Sequence, residues 1–160
     1  MKERTFHRQR LFLACLICGL ASLFYVYDYF IQVAPSVMTS QLMREFSIGA
    51  GELGILSACF YYSYAIMQIP AGMLLDWLGA RKLLSFAIAI SAVGVILFGL
   101  SQNLFTAGVA RFMIGFGSSF AFISNLYLVS RWFSHRNFSF IAGLVQLGAS
   151  IGSIFGLAPL

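Results

Sequence analysis

Gly72-Met-Leu-Leu-Asp76-Trp-Leu-Gly79-Ala-Arg81-Lys82 sets a glycine, an acid, a second glycine and two bases between two long apolar runs. The run before it, Leu53 to Leu75, carries no charge, and neither does the run after it, Leu83 to Leu100. Each is long enough to cross a bilayer core, which takes about 20 apolar residues as a helix. A hairpin with so short a connection places its polar cluster at one membrane surface.

Working outward, the composition fits the same solvent. The chain is 60% hydrophobic, 16% aromatic and 9% charged, with a mean hydropathy of +0.88, values that exclude a soluble globular domain. Apolar runs give five expected spans: Leu11 to Val37, Leu53 to Leu75, Leu83 to Leu100, Leu104 to Ser130 and Phe138 to Leu160. They lack the period-two alternation of a barrel strand, so the expected fold is an all-α integral membrane bundle behind a basic terminus, residues 1–10.

Charge sets the orientation. Lys2, Arg4, Arg8 and Arg10 precede the first span, Arg81 and Lys82 lie in the second loop, and Arg131 and Arg136 lie in the fourth. The first loop has only Arg44 and the third has none. The positive-inside rule therefore puts the N-terminus and the second and fourth loops in the cytoplasm, in a multi-pass protein of the cytoplasmic membrane. The net charge of +5 reports topology and contact with anionic lipid, and no basic domain exists for nucleic acid.

The first apolar run is too long for a secretory signal core and is read as an uncleaved helix. Cys15, Cys18 and Cys59 all fall inside spans, and Cys15-x-x-Cys18 has no second Cys or His cluster to complete a metal site. His7 and His135 sit in polar segments. No hydrolytic triad, phosphate loop or cofactor motif occurs, so enzymatic function is not expected, and neither a metal nor a cofactor is called for.

The hairpin loop also carries a resemblance. Gly72, Asp76, Gly79, Arg81 and Lys82 match at the same spacing the loop signature of the major facilitator superfamily, where it joins the second and third helices; Trp77 stands where that signature has a base. Arg111-x-x-x-Gly115-x-Gly117 is similar to the family's fourth-helix motif, and Arg131-Trp132-Phe133 with Arg136 to its fourth loop. Gly143, Gly152 and Gly156 follow the glycine spacing of the antiporter motif without the proline directly after the last glycine; the nearest is Pro159. Tyr64-Ala-Ile-Met-Gln68-Ile-Pro70-Ala-Gly72 resembles the second helix of the organic-anion and sugar-acid symporters. The resemblance implies two six-helix bundles of inverted three-helix repeats with substrate held at mid-membrane between them. The five spans would form most of the N-terminal bundle, with the C-terminal bundle absent, and the missing helices of the same transporter would be a partner, along with lipid, a small polar or anionic solute and H+.

Each motif has a reading of its own. Asp76 is expected to accept hydrogen bonds from a neighbouring helix start or to pair with Arg81 or Arg131, latching the cytoplasmic ends; the plainer alternative is ordinary loop charge. Gly148, Gly152 and Gly156, with Ala149 and Ser153, lay small residues on one helix face and imply a close partner helix, within this chain or outside it. Pro35 and Pro70 are expected to bend the first and second helices.

Two charges fall inside spans, Asp28 and Arg111. Placing an ionised residue at mid-bilayer costs at least about 2.5 to 3.5 kcal/mol, so such residues face a cavity or one another. Helix rise puts Asp28 about 25 Å and Arg111 about 10 Å into their helices from opposite sides, at similar depth. Tyr25, Tyr29 and Gln32 extend the polar face of Asp28, and Gly115, Ser118, Phe122 and Asn125 that of Arg111. The pair is read as a substrate and proton site, with Asp28 carrying the proton and Arg111 as its partner or the anchor of a substrate carboxylate; an ion pair that serves only folding is the alternative. The function expected is secondary transport of a small metabolite by alternating access, against a non-transporting membrane interaction protein that binds another subunit through its glycine faces.

Overall fold

The computed structural model describes the backbone of residues 2–132 and 135–157 and the side chains of 16–132 and 137–157. Phe133, Pro159 and the side chains of Lys2, Arg4, His7, Arg8, Arg10, Cys15, His135 and Arg136 lie outside the described residues. Six helices follow one another: α1 (Lys2–Val37), α2 (Thr39–Glu45), α3 (Ala50–Leu78), α4 (Ala80–Gly99), α5 (Leu104–Trp132) and α6 (His135–Leu157). Among the described residues there is no strand.

Helix α1 begins at Lys2 rather than at Leu11, because nothing in the basic stretch breaks a helix. Helix α2 was not expected: its seven residues are too few to show a period, and only Leu42 among them is buried. Four helices are long and apolar enough to cross a membrane, over Leu16–Val37, Ala80–Gly99, Leu104–Trp132 and Asn137–Leu157. The second expected span, Leu53 to Leu75 in α3, is not among them. At 29 residues α3 is as long as α5, but Tyr61, Tyr62, Tyr64 and Gln68 dilute its hydropathy.

Local chemistry fixes the helix ends. Glu52 Oε2 accepts from the Gly49 amide at 2.9 Å at the start of α3, and Asn103 Oδ1 accepts from the Thr106 amide at 2.8 Å at the start of α5. Between α3 and α4 stands one residue, Gly79, at φ 77° and ψ 150°. That backbone is open to glycine and strained for other residues, and the Gly79 amide still donates to the Leu75 carbonyl at 2.9 Å.

Helix α5 is the centre of the bundle, contacted by α1, α3, α4 and α6. Its glycines permit this. A Cβ at Gly115 would run into the Phe60 carbonyl of α3, and one at Gly117 into Ser91 and Ala87 of α4. Gly94 of α4 returns the fit, lying where a Cβ would be 3.1 Å from the Ala110 carbonyl. Apolar packing fills the rest: Ala71, Leu75, Leu83, Ala87 and Phe120 join α3, α4 and α5, and Tyr25, Ala121, Val145 and Ala149 join α1, α5 and α6.

The glycine face of α6 has its partner within this chain, where one outside it had been allowed. Gly148 and Gly152 lie on Val26 of α1, and a Cβ at Gly156 would stand 3.0 Å from the Phe30 carbonyl. Around the outside, large apolar side chains face outward, among them Ile69, Trp77 and Phe105 at 82%, 88% and 80% exposure. In water such a surface would aggregate; in lipid it is the ordinary exterior.

Candidate functional site

Helices α1 and α5 run antiparallel, and their facing residues step in register: Ser22 with Asn125, Tyr25 with Phe122, Asp28 with Ser118. Every third or fourth residue of each helix returns to the shared face, which is why a polar stripe on one meets a polar stripe on the other.

Asp28 is buried at 4% exposure, and the Ser118 hydroxyl donates to its Oδ1. One turn away, the Tyr25 hydroxyl donates to Gln146 Oε1 of α6 at 3.1 Å and reaches the Tyr29 hydroxyl at 3.3 Å. The Tyr25 ring stacks on Phe122 at 5.6 Å between centroids. A further turn in the same direction, Asn125 Nδ2 donates to Ser22 Oγ at 3.3 Å. These bonds satisfy the buried polar groups of Tyr25, Asp28 and Asn125.

Arg111 is also buried, at 2% exposure. Its Nη1 donates to the main-chain carbonyl of Ile31 at 3.4 Å, and its guanidinium lies 4.9 Å from the Phe60 ring centroid and 6.0 Å from that of Phe98. Nε has no partner. Among the described residues no carboxylate reaches the guanidinium, so the expected ion pair with Asp28 does not form in this structure. The reason is helix direction. Side chains lean toward the N-terminus of their own helix, so on antiparallel helices Asp28 and Arg111 lean apart. Ser118, the partner of Asp28, stands seven residues from Arg111, about 10 Å along α5.

Arg111 also lines a cavity of about 520 Å3 between α1, α2, α4 and α5, with Pro35, Gln41, Glu45, Phe98 and Ser101. Its polar groups come from α2, the unexpected element, and from the loop after α4.

Of the residues singled out in the sequence, Asp28, Tyr25, Tyr29 and Asn125 are gathered along the α1–α5 face, and Arg111 stands at its far end. Gln32 is half-buried and makes no side-chain hydrogen bond among the described residues. The polar turn is drawn together only by Gly79. Asp76, Arg81 and Lys82 are exposed, and Arg131 lies over its own neighbour Tyr127 at 5.6 Å. Among the described residues Asp76 meets neither Arg81 nor Arg131. Sequence reasoning placed Ser118 on the right stripe without seeing it as the partner of Asp28, and missed Gln146, whose signal was a lone amide among the small residues of the last span.

The sequence that builds this glycine-notched bundle, with an acid and an arginine buried on the α1–α5 face, is similar to known proteins. The family model described as Major Facilitator Superfamily matches residues 20–160. The chain is 30% identical over 151 residues to "Uncharacterized transporter YybO" of Bacillus subtilis, covering 94% of this chain and 34% of that protein. It is 28% identical over 145 residues to "Probable sulfoacetate transporter SauU" of Cupriavidus necator, covering 91% and 34%. It is 29% identical over 112 residues to "Probable galactarate/D-glucarate transporter GarP" of Escherichia coli, covering 66% and 25%. The chain thus spans about a third of the length of the relatives it matches. With the family model covering all but its first residues, this multi-pass membrane chain belongs to the Major Facilitator Superfamily.

Proposed function

We propose that this chain is the N-terminal bundle region of a secondary transporter, not an enzyme, that moves a small organic anion across the cytoplasmic membrane by alternating access coupled to H+. In this reading α3 is the fifth membrane-crossing helix, the N-terminus is cytoplasmic, and a C-terminal bundle supplies the other wall of the substrate path. Arg111 anchors a substrate carboxylate, Asp28 carries the proton, and Tyr25, Tyr29, Gln32 and Asn125 line the route. The turn from Gly72 through Asp76 and Gly79 to Arg81 and Lys82, with Arg131, gates the cytoplasmic side against that C-terminal bundle, which would account for Asp76 standing exposed.

One observation carries the reading: a guanidinium at 2% exposure that among the described residues meets no carboxylate and has Nε unpartnered. A buried cation is retained only when something compensates it, and here the chain supplies one carbonyl and two aromatic faces. A carboxylate ligand would complete it with the stronger, charge-assisted bonds a guanidinium forms. Two of the relatives bear names of anion transporters, for sulfoacetate and for galactarate and D-glucarate. The competing reading as an interaction protein rested on the α6 glycine face, which α1 occupies.

The test is binding in lipid nanodiscs. Galactarate, D-glucarate and sulfoacetate are titrated against the chain and its Arg111→Ala variant, with galactitol as the uncharged control. Saturable binding of an acid, lost in Arg111→Ala and absent for galactitol, is the expected result. Equal binding by Arg111→Ala would end the assignment. In liposomes the chain alone is expected to show no saturable uptake, since the path needs both bundles.

A further inference from the structure

Pro35 lies inside α1 and has no amide hydrogen. In an α-helix the amide of residue 35 would bond to the carbonyl of residue 31, so the proline leaves the Ile31 carbonyl without its ladder partner. The α1–α5 register, continued two steps beyond Asp28 and Ser118, brings Arg111 level with Pro35. There Arg111 Nη1 donates to that same Ile31 carbonyl at 3.4 Å. Ile31, Pro35 and Arg111 border the same cavity.

We propose that Pro35 is a positioning residue for Arg111: by freeing the Ile31 carbonyl it creates a main-chain seat that holds the guanidinium while no anion is bound, and an anion must displace that carbonyl to bind. The displacement half rests on the anion reading above; the seat does not. The choice of partner matters physically. A fixed carboxylate would neutralise Arg111 permanently and compete with any incoming acid on equal terms. A carbonyl is a neutral acceptor, sufficient to orient a buried guanidinium and weak enough to yield to a carboxylate. The long donor–acceptor distance and the idle Nε describe a held but incompletely satisfied cation. Because the carbonyl belongs to the turn that Pro35 interrupts, occupancy of the seat ties the last part of α1 to α5, and an anion at Arg111 unties it.

The seat is read without any ligand. The chain is prepared with 15N in its arginine guanidinium groups and placed in lipid nanodiscs, and Arg111 is assigned as the signal lost in Arg111→Lys. A held guanidinium gives separate Nη signals, since rotation is restricted. In Pro35→Ala the restored amide takes the Ile31 carbonyl, and the Arg111 Nη signals are expected to merge. In Ile31→Ala, which keeps the carbonyl and removes only the side chain, they are expected to stay separate. Circular dichroism checks that each variant is helical, and Pro35→Leu serves if Pro35→Ala does not fold. Nη signals still separate when residue 35 carries an amide, or already merged in the unsubstituted chain, would overturn the seat. In a second arm galactarate, the probe used above, is expected to bind Pro35→Ala about two- to tenfold more tightly, the worth of one displaced hydrogen bond. Merged signals with unchanged galactarate affinity would refute displacement and leave the seat standing. Merged signals with no galactarate binding to any variant would refute the anion reading instead.

Discussion

The Ser118 hydroxyl of α5 donates to the carboxylate of Asp28 in α1, joining residues 90 positions apart on the inner face of the bundle. No other side-chain hydrogen bond to that carboxylate occurs among the described residues, so Ser118→Ala leaves a buried acid without a donor. Such a group costs about 1 to 3 kcal/mol. Ser118→Ala is expected to lose that much in reversible unfolding from mixed micelles. In an Asp28→Leu background the same substitution should cost far less. Equal losses in both backgrounds would show that Ser118 acts through packing alone.

The α1–α6 contact depends on one glycine more than on the others. A Cβ at Gly152 has the Val26 carbonyl in its way, whereas Gly143 faces open space. Gly152→Ala must push the helices apart and is expected to destabilise by about 1 to 3 kcal/mol. Gly143→Ala should instead stabilise by roughly 0.5 to 1 kcal/mol, the helix-propensity gain. Unfolding in the same micelles separates the two signs.

Gly72 and Gly79 belong to one sequence signature and are predicted to respond oppositely. Gly79 holds φ 77°, so Gly79→Ala places a side chain in the left-handed region at a cost of about 1 to 2 kcal/mol. Gly72 lies within α3 with nothing near its missing Cβ. Gly72→Ala should be neutral or slightly stabilising to the isolated bundle, by the same measurement.

Orientation is checked by labelling. With Cys15, Cys18 and Cys59 replaced by serine, Gln102→Cys is expected to react with an impermeant thiol reagent added outside intact cells. Trp77→Cys, at the opposite end of the bundle and 88% exposed in unsubstituted form, should react only after the cells are opened. The reverse pattern would invert the topology.

The α3–α4 turn was legible because glycine, acid and bases between apolar runs admit few conformations, and the structure reduced it to Gly79. The polar stripe of α5 was legible as well, since Ser118, Phe122 and Asn125 recur at helical spacing. What failed was the inference from depth to contact. Counting rise from the span ends set Asp28 and Arg111 level, whereas Asp28 faces Ser118, seven residues from Arg111 along α5, and the two side chains lean in opposite directions. Helix α2 escaped notice because seven residues around Leu42 make no period. Gln146 escaped because its neighbours Gly148 and Ala149 had already explained that face as packing.

The Asp28–Ser118 bond also orders events during synthesis. At roughly 5 to 20 residues per second, the ribosome reaches Ser118 about 5 to 20 seconds after Asp28, and Gln146 and the α6 glycines emerge later still. Helix α1 is therefore made before α5 and α6, its acid and Tyr25 still lacking the partners they will have. A nascent chain halted before α5 thus holds in α1 an acid without its Ser118 donor, at the cost that an unsatisfied buried group carries in lipid.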